Sequence, residues 1–204
     1  KQGQLNQDLI WQRIALTAQK GQATFVRQLA NQLEGGQRLA AQRLADLLLD
    51  PGKQRSAVRK WPNDAAHQHA VALAVARIAR RDDELAASLW RDFRAHLSFG
   101  DDDKALMLDV IALYRANSYR SDAADWLALI PAGKDSELTR EWRVREALSR
   151  RDCSAALKGL SLMDGAQQAD PRWRYWLARS LDETGQSTLA KVAWQALATA
   201  ANFH

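Results

Sequence analysis

The chain has 204 residues, 47% hydrophobic and 26% charged, enough apolar material for a buried core and too much for a disordered chain. Its formal charge of +5, from 29 basic and 24 acidic residues, is too small an excess to select nucleic acid, anionic lipid or an acidic polymer as partner. One cysteine, Cys153, excludes an intrachain disulfide and a zinc cluster of cysteines; its Ala-rich helical surroundings read as a small buried core position.

Apolar residues recur at three and four along the whole chain, the period of amphipathic helices, and no segment alternates as a half-buried strand does. Leu5, Leu9, Trp11, Ala15 and Leu16 begin the first stripe. Ala72, Val75, Ala76 and Ala79 form another, and Leu106, Val110, Leu113 and Tyr114 a third. Breakers separate the stripes: Gly21, Gly35-Gly36, Pro51-Gly52, Pro62-Asn63, Gly100, Asn117, Pro131, Asp170-Pro171 and Gly185. Asn63 or Asp64 is placed to cap a helix from Ala65, Ser136 to cap the helix holding Trp142, and Asp170 to cap one with Pro171 at its first position. The expected helices are 11 to 17 residues long, and short turns make neighbours antiparallel. No apolar run reaches bilayer length, and no signal-peptide core follows Lys1-Gln2-Gly3-Gln4, as in a mature or truncated chain.

A repeat underlies the pattern. The aliphatic anchors Ile78, Leu113, Leu148 and Leu181 lie 35, 35 and 33 residues apart, each four residues before a turn position. Ala86, Ala156 and Ala190 follow in second helices. This is the spacing of helix-turn-helix solenoids. The fold class expected is therefore all-α: a superhelix of antiparallel helix pairs, tetratricopeptide-like, spanning 1–204, with a sub-boundary near 50–63 where the rhythm breaks.

The chemistry of catalysis is missing. His67 and His69 stand two apart on a helix and diverge by about 200°, so one face does not offer both to a metal; His96 and His204 are isolated. Exposed or partly packed histidine is the expectation. The acidic runs Asp82-Asp83-Glu84 and Asp101-Asp102-Asp103 open helices, where negative charge favours the helix dipole. Gly35-Gly36 lacks the lysine of a phosphate loop, and no serine sits in a nucleophile elbow. Most of the eight tryptophans sit at corresponding places in helix pairs, which points to packing between helices. Trp142-Arg143 and Arg172-Trp173-Arg174-Tyr175-Trp176 are the best candidates for stacking on a ligand. No cofactor, metal or catalytic residue is expected.

The run Trp173-Arg174-Tyr175-Trp176-Leu177-Ala178-Arg179-Ser180-Leu181, followed by Thr184-Gly185, Ala190 and Asn202-Phe203-His204, resembles soluble lytic murein transglycosylases of the Slt type. Leu9–Leu16 and Arg143–Leu148 also look like that family's helical repeats. The resemblance implies a piece of a long superhelical domain that curves into a ring, in the bacterial periplasm. It also implies a separate catalytic domain bearing a Gln-Glu-Ser glutamate. No Gln-Glu-Ser occurs here, so no catalytic residue carries over. The implied parent reaction is cleavage between N-acetylmuramic acid and N-acetylglucosamine, giving 1,6-anhydromuramic products. Peptidoglycan and other cell-wall proteins are the implied partners, without nucleic acid or a transmembrane segment. Arg143, Arg172 and Arg174 are the candidate glycan contacts. Two other readings of the array are a tetratricopeptide-like solenoid that binds proteins and a helical array that binds nucleic acid.

Overall fold

The computed structural model describes residues 7–200, so Leu5 of the first stripe, and Asn202, Phe203 and His204, lie outside the described residues. Among those described, the chain forms thirteen α-helices and no strand, as the all-α reading expects. Two compact units divide it, residues 1–114 and 115–204.

In the first unit, α1 (Gln7–Gln19) and α2 (Ala23–Ala30) form a hairpin, followed by α3 (Gly35–Leu49) and α4 (Pro51–Val58). Residues 50–63 thus hold a helix, with Asp50 accepting from the Lys53 amide at 2.9 Å and Pro51 at its first position. The centre of the unit is α5 (Ala65–Ala79), which packs on α1, α3 and α6 (Asp83–Phe93). Ala70 through Ala76 are all buried on α5, because helices cover it on several sides. The first stripe is shifted from its expected register. Leu9 and Leu16 are exposed, while Ile10, Ile14, Thr17 and Ala18 face the core. Those four recur at four, seven and eight and make the continuous face that α2 and α5 cover. Helix α7 (Asp101–Asn117) carries its acidic run in the first turn. Along it Val110 is buried, but Leu106, Leu113 and Tyr114 are only half-buried; Met107, Leu108 and Ile111 fill the core instead.

The second unit continues with α8 (Ala123–Ala128), α9 (Glu137–Ser149), α10 (Cys153–Ser161), α11 (Gly165–Ala169), α12 (Pro171–Glu183) and α13 (Ser187–Ala200). Several helices, such as α8 and α11, are shorter than expected, because each ends where a cap or a turn takes over its carbonyls. The caps are the expected ones: Asp64 accepts from the His67 amide, Ser136 from Thr139, and Asp170 from Arg172.

Four of the reversals share one backbone device. After α1, α7, α9 and α12 the chain places a residue in the left-handed region: Gly21 (φ 73°), Tyr119 (φ 52°), Arg151 (φ 58°) and Gly185 (φ 76°). The following amide then reaches back five residues. Gln22 donates to the Thr17 carbonyl at 3.2 Å, Arg120 to Arg115 at 3.0 Å, Asp152 to Ala147 at 2.9 Å and Gln186 to Leu181 at 2.9 Å. This is the Schellman closure, and it satisfies carbonyls that the helix end leaves unpaired. The α5–α6 reversal does without it: Asp82 reaches only Ile78, and then caps α6 through the Leu85 amide.

Small residues let the helices of each hairpin approach. Ala86, Ala156 and Ala190 are buried. On α10, Gly159 lies so close to α9 that a Cβ there would stand 2.9 Å from Val144 Cγ2 and 3.4 Å from its amide nitrogen. Around this contact Val144, Ala147, Ala156, Leu160, Met163 and Trp173 form one core, with Leu148 and Trp176 packed against it. Cys153 is half-buried at the first position of α10, not enclosed in the core.

Two stability predictions follow from this packing. Gly159→Ala should destabilise by about 1–2 kcal/mol in urea unfolding despite its better helix propensity, since Val144 is β-branched and does not swing aside; Val144→Ala in the same chain should restore part of the loss. Arg151→Gly should stabilise by about 0.5–1 kcal/mol, because relief of the left-handed conformation exceeds the added freedom of the unfolded chain.

Candidate binding surface

Arginines fix the geometry of the second unit from within. Arg115 at the end of α7 is buried, and its Nη2 donates to both carboxylate oxygens of Asp122 at 2.8 Å. Trp126 Nε1 donates to the same carboxylate at 3.0 Å, and the guanidinium lies 5.6 Å from the Trp126 ring centre. Burial pushes the Asp122 carboxyl up, but the hydrogen bonds from Arg115 and Trp126 outweigh it and hold the pKa below the ordinary carboxylate value.

Arg140 gathers the start of α9 and the short α11. It donates to the Gln167 side chain at 2.8 Å, to the Asp164 carboxylate at 2.7 Å and to the Asp135 carbonyl at 2.9 Å. Asp164 and Gln167 in turn cap α11 reciprocally. One turn on, Arg143 donates to the Leu127 carbonyl at 2.8 Å and pairs with Asp135, both partners largely enclosed.

Beside these brackets runs a row of rings and charges. Tyr119, 68% exposed, meets Trp142 edge-on with ring centres 6.0 Å apart. The Arg145 guanidinium lies 5.2 Å from the Trp142 ring centre and 5.0 Å from that of Trp173. Arg172 lies 4.7 Å from the Trp173 ring centre. Glu141 joins the two arginines, 2.7 Å from Arg145 and 3.8 Å from Arg172. Farther along, Tyr175 sits edge-on to both Trp176 and Trp194, at 5.3 and 5.5 Å. A cleft of about 350 Å³ opens next to α12, walled by Leu157, Leu160, Met163 and Leu177, with Gln168 and Arg174 as polar groups.

The three candidate arginines therefore stand in different settings. Arg143 is bound into the loop before α9. The Arg172 side chain is half exposed; it pairs with Asp170 at 3.1 Å, approaches Glu141 at 3.8 Å and covers the buried Trp173 ring. Arg174 walls the cleft and donates to the Ala196 carbonyl at 2.7 Å. The tryptophans divide: Trp61, Trp90, Trp126 and Trp173 are buried, whereas Trp11, Trp142, Trp176 and Trp194 are half-buried. Sequence reading passed over Tyr119, Glu141 and Arg145. The repeat placed the turn after Leu113 at Asn117, but α7 runs through Asn117 and the left-handed residue is Tyr119, so no sequence signal marked it.

In the first unit the histidines form separate structural pins. His67 is fully buried rather than exposed or partly packed, because α5 is covered on several sides. Its Nδ1 lies 2.8 Å from Asp64, and Arg43 Nη1 lies 2.7 Å from its Nε2. A guanidinium only donates, so Nε2 accepts and Nδ1 carries the hydrogen. His69 Nδ1 lies 2.8 Å from Asp103, and His96 is exposed. Among the described residues no three histidine, cysteine or carboxylate side chains gather as a metal site, and no helix is long and apolar enough to cross a membrane.

No protein-family model and no curated protein matches the chain. Solved structures do. An inactive mutant of the lytic transglycosylase Slt from Pseudomonas aeruginosa is similar over 95% of this chain, with 27% identity and a TM-score of 0.77. The 70 kDa soluble lytic transglycosylase Slt70 from Escherichia coli shares the fold over 95% of the chain, with 24% identity and a TM-score of 0.68. This chain spans 32% of the length of each.

A pH test checks the Arg115–Asp122 contact. Because the folded carboxyl titrates below its unfolded value of about 3.9, its contribution is complete above that value and disappears as pH falls through the lower folded one. Acid unfolding followed by circular dichroism should show wild-type stability dropping more steeply below about pH 4 than that of Asp122→Ala, whose stability at pH 7 is lower by about 2–3 kcal/mol because the buried Arg115 loses this carboxylate.

Proposed function

We propose that this chain is a non-catalytic scaffold segment of a lytic transglycosylase, one superhelical wall that holds peptidoglycan near a catalytic domain carried elsewhere in a longer protein. The observation that carries this reading is the likeness to Slt over 95% of the chain at 27% identity. The Trp173–Leu181 run supports it from the sequence side.

A scaffold of this kind acts by position. It raises the local concentration of a polymer around a distant reaction centre, with no bond made or broken on its own residues. The carboxylates support such a role. Asp50, Asp64, Asp82, Asp152, Asp164 and Asp170 cap helices, and Asp92, Asp122 and Asp135 pair with arginines. The parent reaction in this reading cleaves between N-acetylmuramic acid and N-acetylglucosamine, in the periplasm. Arg172 and Arg174 face the glycan, while Arg143 braces the loop beneath α9.

The 204-residue chain should co-sediment with purified sacculi and release no 1,6-anhydromuropeptides, measured by chromatography of the supernatant, whereas the longer parent should release them. Turnover by the chain alone, or no retention on sacculi, would overturn the reading. A protein-binding solenoid would instead be retained by a peptide library and not by sacculi.

A further inference from the structure

We propose that the row formed by Tyr119, Trp142, Arg145, Glu141 and Arg172 is a saccharide-binding surface, which takes a glycan strand by stacking on the rings and by hydrogen bonds between sugar hydroxyls and the charged groups. The inference deepens the scaffold reading and rests on it for the identity of the natural polymer.

Tyr119 is the first argument. It holds the turn position, at φ 52°, that Gly21, Arg151 and Gly185 take in the other three reversals, and this turn carries its ring to the surface. The side chain is 68% exposed, a large aromatic surface left in water. Its ring is nonetheless set by the edge-on contact with Trp142. An aromatic platform held in place and left in water costs little entropy when a ligand stacks on it.

The charges choose the ligand. Glu141 lies between Arg145 and Arg172, so acceptor and donors alternate within a few ångströms. Sugar hydroxyls both donate and accept and suit such a set. A polyphosphate does not, since a carboxylate at the centre of the row repels it while the arginines attract. Arg172, half exposed, pairs with Asp170 at 3.1 Å and would exchange that contact for a carboxylate substituent on the glycan. The rings of a saccharide also present the apolar C–H faces that Tyr119 and Trp142 require.

The full 204-residue chain is titrated with an N-acetylglucosamine hexamer, with peptide-free peptidoglycan glycan strands and with oligothymidylate, using calorimetry and tryptophan fluorescence. The expected result is saccharide binding that Tyr119→Gly weakens at least fivefold while its melting temperature stays level or rises, as a merely structural tyrosine would not allow. Arg172→Gln should weaken the carboxylate-bearing strands more than the uncharged hexamer. Unchanged saccharide affinity in both variants, or tighter binding of oligothymidylate than of either saccharide, overturns the proposal. Sacculus retention separates it from the scaffold reading. If Tyr119→Gly binds sacculi and saccharides as the wild type does, the row falls and the scaffold stands. If the wild type binds the hexamer through Tyr119 but is not retained by sacculi, the row stands and the scaffold falls. If neither ligand binds, both fall.

Discussion

The hydrogen bond that carries an amide back five residues across a hairpin turn is the constraint on which the rest depends. It ends a helix, reverses the chain within three or four residues and sets where the next helix can cap. It also demands a left-handed residue at one position. With that reversal fixed, the small residues of the second helices can reach the first. Gly159 then meets Val144 at a distance no side chain would permit, and the core around Trp173 closes. Backbone chemistry at a few turns thus decides the side-chain packing of whole hairpins.

Charged residues serve the architecture in proportions that net charge does not reveal. Arg115, Arg140 and Arg143 each bind a carboxylate and a second group from another segment, so they fix short helices that have little apolar area of their own. Helix α11, five residues long, owes its place to Arg140 and its reciprocal cap more than to propensity, since an isolated helix of that length does not form in water. A basic excess spread over such brackets gives little field for a distant polymer. Outside these brackets stand Arg172 on the surface, Arg174 at the cleft, and rings held by their neighbours.

The likeness to Slt and the character of the surface support each other without being the same argument. The first concerns the fold of a chain that spans 32% of the structures it matches. The second concerns Tyr119, exposed beside Trp142, and the mixed-charge group of Arg145, Glu141 and Arg172.

The sequence by itself determined the helical class and several boundaries, because these depend on local chemistry. Asp64, Ser136 and Asp170 cap helices through amides two or three residues away, and Ala86, Ala156 and Ala190 mark seams by their size alone. Tertiary structure decided what periodicity leaves open. Leu9 and Ile10 are equally apolar, yet only Ile10 faces covering helices; His67 differs from His69 by burial against Arg43 and Trp61. Arg143 and Arg172 read alike as basic residues beside tryptophan, but one is enclosed by a loop and the other is open to water. Such differences arise from which segments arrive opposite a residue, and that is a property of contacts distant in the chain.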